Sequence, residues 1–332
     1  MKKFLMFLFI AFLAASFVLA NAGRQPGRPA HTYSIVALDK TTGELGVAVQ
    51  SHWFSVGALV PWAESGVGAV ATQSFVEPSY GPLGLELMKV GKSAEEALAA
   101  LLRADKNETV RQVAMVDARG KVAAHTGKNC IAEAGHYVGD GFSCQANMML
   151  KSTVWKAMAQ AFETTKGELA DRLIAALEAA EKEGGDIRGR QSAAIIVVKG
   201  KSSGVWWKDR IYDLRVEDHV APVPELKRLL KLNKAYNHMN RGDDYMTDGM
   251  TAEAMKEYTK GMEIYPDNPE MIFWPAVTLA STGKVDESLP LFKKVFAQDS
   301  NWAVLLERLP KAGQFPNDKK LIRKILAVMP KK

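Results

Sequence analysis

Residues 32–51 read TYSIVALDKTTGELGVAVQS, and this stretch decides the fold class. Thr32–Leu38 alternates and is rich in β-branched and aromatic residues. Asp39 to Gly43 (DKTTG) is a turn sequence, and Glu44–Ser51 alternates again. Two such runs around a short Asp/Gly turn predict an antiparallel β-hairpin. Working outward, Ala58–Trp62 and Gly66–Ser74 read as further strands. Gly81–Val90 and Ser93–Ala104 then switch to helical spacing, with Ser93 and Glu96 placed as a capping box. Val113–Val116 and Lys121–His125 flank a DARG turn, a second hairpin, and Tyr137–Gln145 reads as a strand. Thr153–Thr164 and Glu168–Glu183 read as helices. The second of these carries Leu169, Leu173, Ala176, Leu177 and Ala180 on one face. Gln191–Val198 is a strand, and Val205–Trp207 and Arg210–Val216 close the domain. Hairpins dominate, and no GxGxxG or Walker sequence is present. The order predicts an α+β fold with helices packed outside antiparallel sheets rather than a doubly wound parallel sheet.

On the N-terminal side, Met1-Lys2-Lys3 is basic, Phe4–Leu19 is almost wholly apolar, and Ala20-Asn21-Ala22 supplies small residues for cleavage before Gly23. Residues 1–22 therefore read as a signal peptide, too short in its apolar run to span a bilayer. A periplasmic or secreted location is expected. Residues 23–31 (GRQPGRPAH) read as a flexible leader. Cys130 and Cys144 are the only cysteines, and the spacing leaves open whether they pair or stay as buried thiols. Neither has metal-like spacing, and no metal or cofactor is expected.

On the C-terminal side, Asp218–Pro224 reads as a Pro-containing linker, so the first domain is placed at 32–219 and a helical one at 220–332. A period of 34 residues runs through the second, relating Gly249 to Gly283, Tyr245 to Leu279, Ala254 to Ser288 and Tyr258 to Phe292. Gly242, Tyr245, Ala254, Tyr258, Gly261 and Pro266 fall at the small, aromatic and proline positions of a tetratricopeptide unit. Helices over Pro224–Arg241 and Pro316–Val328 are expected to cap two such units.

The 332 residues carry a net charge of +6, with 47% hydrophobic and 24% charged residues, an ordinary globular composition. The signal segment holds +2. Residues 23–219 hold 23 basic and 23 acidic residues, and residues 220–332 hold 18 and 14. The main domain is neutral and shows no basic stripe, so nucleic acid is not expected as a partner.

No G-x-S-x-G, H-E-x-x-H or paired-carboxylate signature is present. Polar residues instead sit within or at the ends of apolar strands: Thr32 and Ser34, Gln50-Ser51-His52, Gln73-Ser74, His125-Thr126, Gln145 with Asn147, and Asp186–Ser192. Singly, each has an ordinary structural role. Converging, they make a site, because buried amides and guanidinium groups need partners.

The stretches TYSIVALDKTTGELGVAVQS, GALVPWAESGVGAVATQS, PSYGPLGLELM, AHTGKNC, AGHYVGDGFSCQANMML and GGDIRGRQSAAIIVV together resemble domain-of-unknown-function family 1028. That family is assigned to the Ntn-hydrolase (N-terminal nucleophile) superfamily. The resemblance covers about residues 32–216. It implies a four-layer αββα sandwich, but it names no substrate. The tail resembles the tetratricopeptide-like domain, associated with peptidoglycan binding, that often follows it.

The superfamily's mechanism implies an N-terminal Thr, Ser or Cys whose free α-amine acts as base. Family members commonly begin Met-Thr-Phe-Ser, which puts Thr32 at the nucleophile position, with Ser34 on the same strand face as a lesser candidate. This chain departs from that pattern in carrying nine residues, 23–31, between the signal cleavage point and Thr32, so a second cut between His31 and Thr32 is required. Gln73, His125, Asn147, Arg188 and Arg190 are the expected pocket residues. Two functional readings stand. One is an exported amidohydrolase acting on a small amide or peptide-like substrate. The other is a non-catalytic envelope or protein-binding scaffold using residues 220–332 against peptidoglycan or a protein. A homo-oligomer is left open in either.

Overall fold

The structure is a computed structural model that describes residues 32–330. The signal peptide and leader predicted for residues 1–31 lie outside the described residues. The chain divides into two compact units, with the boundary between Lys227 and Arg228.

Among the described residues, the first unit has ten strands in two antiparallel sheets. The larger sheet contains β1 (Thr32–Leu38), β2 (Leu45–Ser51), β7 (Gly135–Gly139), β8 (Phe142–Ala146), β9 (Ser192–Val198) and β10 (Arg210–Val216). Their spatial order is β10-β9-β2-β1-β8-β7. The smaller sheet contains β3 (Pro61–Glu64), β4 (Gly68–Ser74), β5 (Arg111–Asp117) and β6 (Val122–Thr126), in that order. The opening hairpin pairs Thr32 with Ser51 and Leu38 with Leu45.

Alternation along each strand sorts its side chains to two different interiors. Val36, Val47, Val49, Ala194 and Ile196 of the large sheet pack with Ala69, Ala71, Ala114 and Val116 of the small one. The opposite-face residues Val70, Val113 and Met115 pack against α1 (Tyr80–Lys89) and α2 (Ala94–Ala104). Helices α3 (Val154–Thr164) and α4 (Leu169–Lys182) are associated with the large sheet, where Leu169 and Leu173 crowd the α-carbon of Gly46 on β2. Helices on the outer faces explain why β1, β2, β4, β5 and β9 are buried along nearly their whole length on both sides. The capping box forms as the sequence predicts, Glu96 N–H donating to Ser93 Oγ and Ser93 N–H to the Glu96 carboxylate.

Several local expectations need correction. The strand predicted over Ala58–Trp62 starts only at Pro61, because Val56–Ala58 closes a 3-10 turn first. Tyr137–Gln145 is not one strand but a hairpin, β7 and β8, turning at Asp140-Gly141 with Gly141 at φ +82°. Trp206–Asp209 is a short helix, α5, rather than a closing strand. The Asp218–Pro224 linker is shorter than expected, since helix α6 already begins at Pro222. Proline tolerates a first helical turn, where its missing N–H is not needed. Cys130 and Cys144 are both free thiols.

In the second unit the described chain is helical: α6 (Pro222–Thr247, crossing the boundary), α7 (Thr251–Ile264), α8 (Pro269–Ser281), α9 (Val285–Gln298), α10 (Asn301–Arg308) and α11 (Lys319–Leu326). Gly249 and Gly283, 34 residues apart, occupy equivalent turns between α6 and α7 and between α8 and α9, at φ +74° and +88°. Gly242 lets α6 and α7 approach closely, since a β-carbon there would sit 2.2 Å from the Tyr258 ring.

Candidate functional site

The candidate site lies between the sheets at the end where β1 begins. Thr32, Ser34, Ser51, Gln73, Gln112, Gln145 and Asn147 are all fully buried. They come from five places in the sequence and form one hydrogen-bonded network. Thr32 Oγ1 donates to Ser51 Oγ at 3.1 Å. The Thr32 carbonyl accepts from the Asn147 backbone N–H at 3.1 Å and from Gln73 Nε2 at 3.2 Å. Ser34 Oγ donates to Gln73 Oε1 and accepts from Gln145 Nε2, both at 2.6 Å.

Gln112 is the hub. Its Oε1 accepts from Gln73 Nε2 at 2.7 Å and from Asn147 Nδ2 at 2.9 Å. Its Nε2 donates to Thr126 Oγ1 and the Ala146 carbonyl, both at 2.9 Å. Its Nε2 also reaches the Gly135 carbonyl at 3.2 Å, so one side chain of the small sheet ties itself to β7, β8 and the loop after β8. In a dry interior such bonds are stronger than in water, and an unmet partner is costly.

The backbone next to the site is strained. Ser74 and Met148, immediately after Gln73 and Asn147, sit at φ +72° and +55°. For residues with a β-carbon this left-handed conformation costs on the order of 1–2 kcal/mol each. It swings the chain away directly after each amide has been delivered. Such strain persists only where surrounding structure fixes it.

A second polar group lies on the other face of β1. Tyr33 pairs in register with Gln50, both polar atoms of Gln50 and His52 Nδ1 are buried without a hydrogen-bond partner, and the buried Tyr33 hydroxyl lies beside the Glu181 carboxylate. Burial pushes the Tyr33 phenol well above its usual range, and the nearby Glu181 carboxylate adds to this. Burial likewise raises the Glu181 carboxyl, against the opposing pull of Arg190.

Of the residues expected from sequence, the structure brings Thr32, Ser34, Gln73 and Asn147 together. It does not bring His125. That residue pairs with Val113, whose side chain packs under the outer helices, and its Nε2 lies 2.9 Å from the Glu108 carbonyl. The next residue, Thr126, occupies the inter-sheet face instead, a shift of one position that exchanges faces. Arg188 and Arg190 stand on the loop between α4 and β9. Arg188 Nε and Nη2 grip both oxygens of Asp186, at 3.0 and 2.7 Å, and Asp186 also accepts the His52 N–H. Arg190 Nε lies 3.4 Å from Glu181.

Gln112 and Ser143, whose Oγ donates to Gln145 Oε1 at 3.0 Å, join the network without having been anticipated. A single Gln in RQVAMVD gives no signal, because its partners are far away in sequence. Among the described residues, no group of three or more His, Cys, Asp or Glu is placed to hold a metal ion, and no helix is long and apolar enough to cross a membrane.

The fold and site define a two-unit protein whose first unit is a mixed, antiparallel α/β domain with a buried amide and hydroxyl network. The description "Family of unknown function (DUF1028)" matches residues 32–226, and the chain belongs to that family. The crystal structure of a Silicibacter pomeroyi protein of the same family is similar at 28% identity and a TM-score of 0.54, over 61% of this chain and 88% of that one. Anbu (ancestral beta-subunit) from Yersinia bercovieri aligns at 10% identity and a TM-score of 0.31, over 62% and 93% of the two chains, too weak a likeness to carry an argument. Tetratricopeptide repeat protein 8 of Caenorhabditis elegans is 32% identical over 81 residues, which is 23% of this chain and 14% of that protein.

Proposed function

We propose that the first unit is an amidohydrolase of the N-terminal nucleophile type, exported to the periplasm or beyond, acting on a small amide or peptide-like substrate. The observation that carries this reading is the placement of Thr32. It begins the central hairpin of two packed antiparallel sheets with outer helices, and its carbonyl is held by Asn147 and Gln73. In this reading the unit is a four-layer αββα sandwich of the Ntn-hydrolase kind. A cut between His31 and Thr32 frees the α-amine, whose ordinary pKa near 7.7–8.0 suits a base at neutral pH. The amine takes the proton from Oγ1 as that oxygen attacks the amide carbonyl. The C–N bond then breaks, the proton passes to the leaving amine, and water hydrolyses the Thr32 ester. Gln73, Gln112 and Asn147 act as positioning residues, fixing the backbone of Thr32 so that its hydroxyl has one orientation.

The helical unit is read as a tetratricopeptide-like module. Its support is the pair of equivalent left-handed turns at Gly249 and Gly283, together with the short match to a tetratricopeptide repeat protein. It would bind peptidoglycan or a protein.

Intact mass and N-terminal sequencing of the exported protein test the enzyme reading. A chain beginning at Thr32 that hydrolyses amides, and loses that activity by at least about a thousandfold on Thr32→Ala, is the expected result. A chain starting stably at Gly23 with activity unchanged by Thr32→Ala sinks it. For the helical unit, retention on purified peptidoglycan that disappears when residues 220–332 are deleted is the expected outcome.

A further inference from the structure

We propose that residues 308–330 form a basic surface that docks on an anionic lipid bilayer. This segment holds six Lys or Arg against one Asp, whereas residues 220–307 hold ten basic and thirteen acidic residues. The positive charge of the helical unit is therefore not spread over its helices but gathered at one end. At about 100° per residue, Lys319, Lys320, Arg323 and Lys324 of α11 fall within one arc of about 140°. Leu321, Ile322, Ile325 and Leu326 fill the opposite arc. Ile325 is fully buried in the unit's core, and the other three pack against it. The apolar side of α11 is thus occupied by the unit itself, and the basic arc is exposed.

Within that arc only Lys324 has a carboxylate partner, Asp286 at 2.7 Å. Among the described residues, Arg308, Lys311, Lys319, Lys320 and Arg323 form no ion pair. Unpaired cations at one end of a unit otherwise net acidic create a directional field that favours a flat anionic surface. Lys and Arg held near an anionic membrane contribute about 1 kcal/mol each, so a cluster of this size suffices for reversible attachment. A bilayer fits better than a nucleic acid. The segment holds no Trp or Tyr, and Phe315 is buried, so there is no platform on which bases stack. The exposed large apolar side chains in and beside the segment are aliphatic, Val304 and Met329, suited to the headgroup boundary.

The test is vesicle cosedimentation of the chain lacking residues 1–22, whose apolar run would itself bind lipid. Binding is expected to vesicles containing about a third phosphatidylglycerol, not to pure phosphatidylcholine, and is expected to weaken steeply above about 0.3 M salt. K319Q/K320Q/R323Q should weaken it about a hundredfold with an unchanged thermal midpoint, since all three side chains are exposed. Removing three exposed lysines of the first unit instead, K121Q/K201Q/K208Q, should leave binding intact. Equal affinity for both vesicle types, indifference to the α11 substitutions, or tighter binding to a single-stranded oligonucleotide or to peptidoglycan than to anionic vesicles would overturn the proposal.

Discussion

Gln112 shows how much one buried amide does. Its oxygen takes two N–H groups and its nitrogen reaches carbonyls of the two strands opposite, β7 and β8. Gln112→Leu keeps the volume but strands the Gln73 and Asn147 amides and the Ala146 carbonyl. The cost of unmet buried polar groups predicts a loss of about 2–4 kcal/mol, read by urea unfolding. Gln112→Glu is a sharper control, because its second oxygen cannot donate to Ala146. A loss below about 0.5 kcal/mol for Gln112→Leu would mean that water replaces the lost bonds. The cysteines are quieter. Burial raises both thiols, Cys144 well above its ordinary value, which keeps them protonated and unreactive at neutral pH.

At the scale of elements, close helix packing rather than helix propensity decides the second unit. Gly242 lies inside α6, where glycine costs up to about 1 kcal/mol relative to alanine. Its compensation is the Tyr258 ring on α7, which is nearly fully buried and donates its hydroxyl to Asp243 Oδ1 at 2.7 Å. Gly242→Ala should therefore destabilise the unit by about 1–3 kcal/mol, despite improved propensity, because the ring must move. Hydrogen exchange across α6 and α7 reports it, and a gain in protection would contradict the packing. The hairpins, the helices and the capping box were legible because each is set by local spacing. Tyr137–Gln145 was misread because Gly139 to Gly141 interrupt an otherwise continuous pattern. His125, an expected pocket residue, falls on the side of the outer helices because successive residues of a strand point to opposite faces.

Across the whole molecule, charge is the quantity that local patterns hide. Burial disfavours the charged form of Glu257, but hydrogen bonds from Lys260, His238 and Arg241 outweigh it and hold this carboxyl at about 2. A carboxyl depressed below its unfolded value contributes stability that is fully present above about pH 5 and lost as pH falls toward 2. With Arg241 and Lys260 half-exposed, water screens the cluster, so the contribution is of the order of 1–2 kcal/mol. Unfolding of the chain and of Glu257→Gln should differ at neutral pH and converge near pH 2. Parallel curves would show that the cluster is thermodynamically idle.

By itself, the sequence determined the α+β class, the hairpins at 32–51 and 113–125, the helical tail and its 34-residue period, because spacing of apolar side chains, turn residues and caps acts within a few residues. It also marked Thr32, Ser34, Gln73 and Asn147 as polar groups out of place in apolar strands. Only the tertiary structure decided that these four meet, that Gln112 joins them, and that His125 faces the other way. Those facts depend on which strands become neighbours and which face each strand turns inward. A hydrogen bond between residues 39 or 111 positions apart leaves no local trace in the chain.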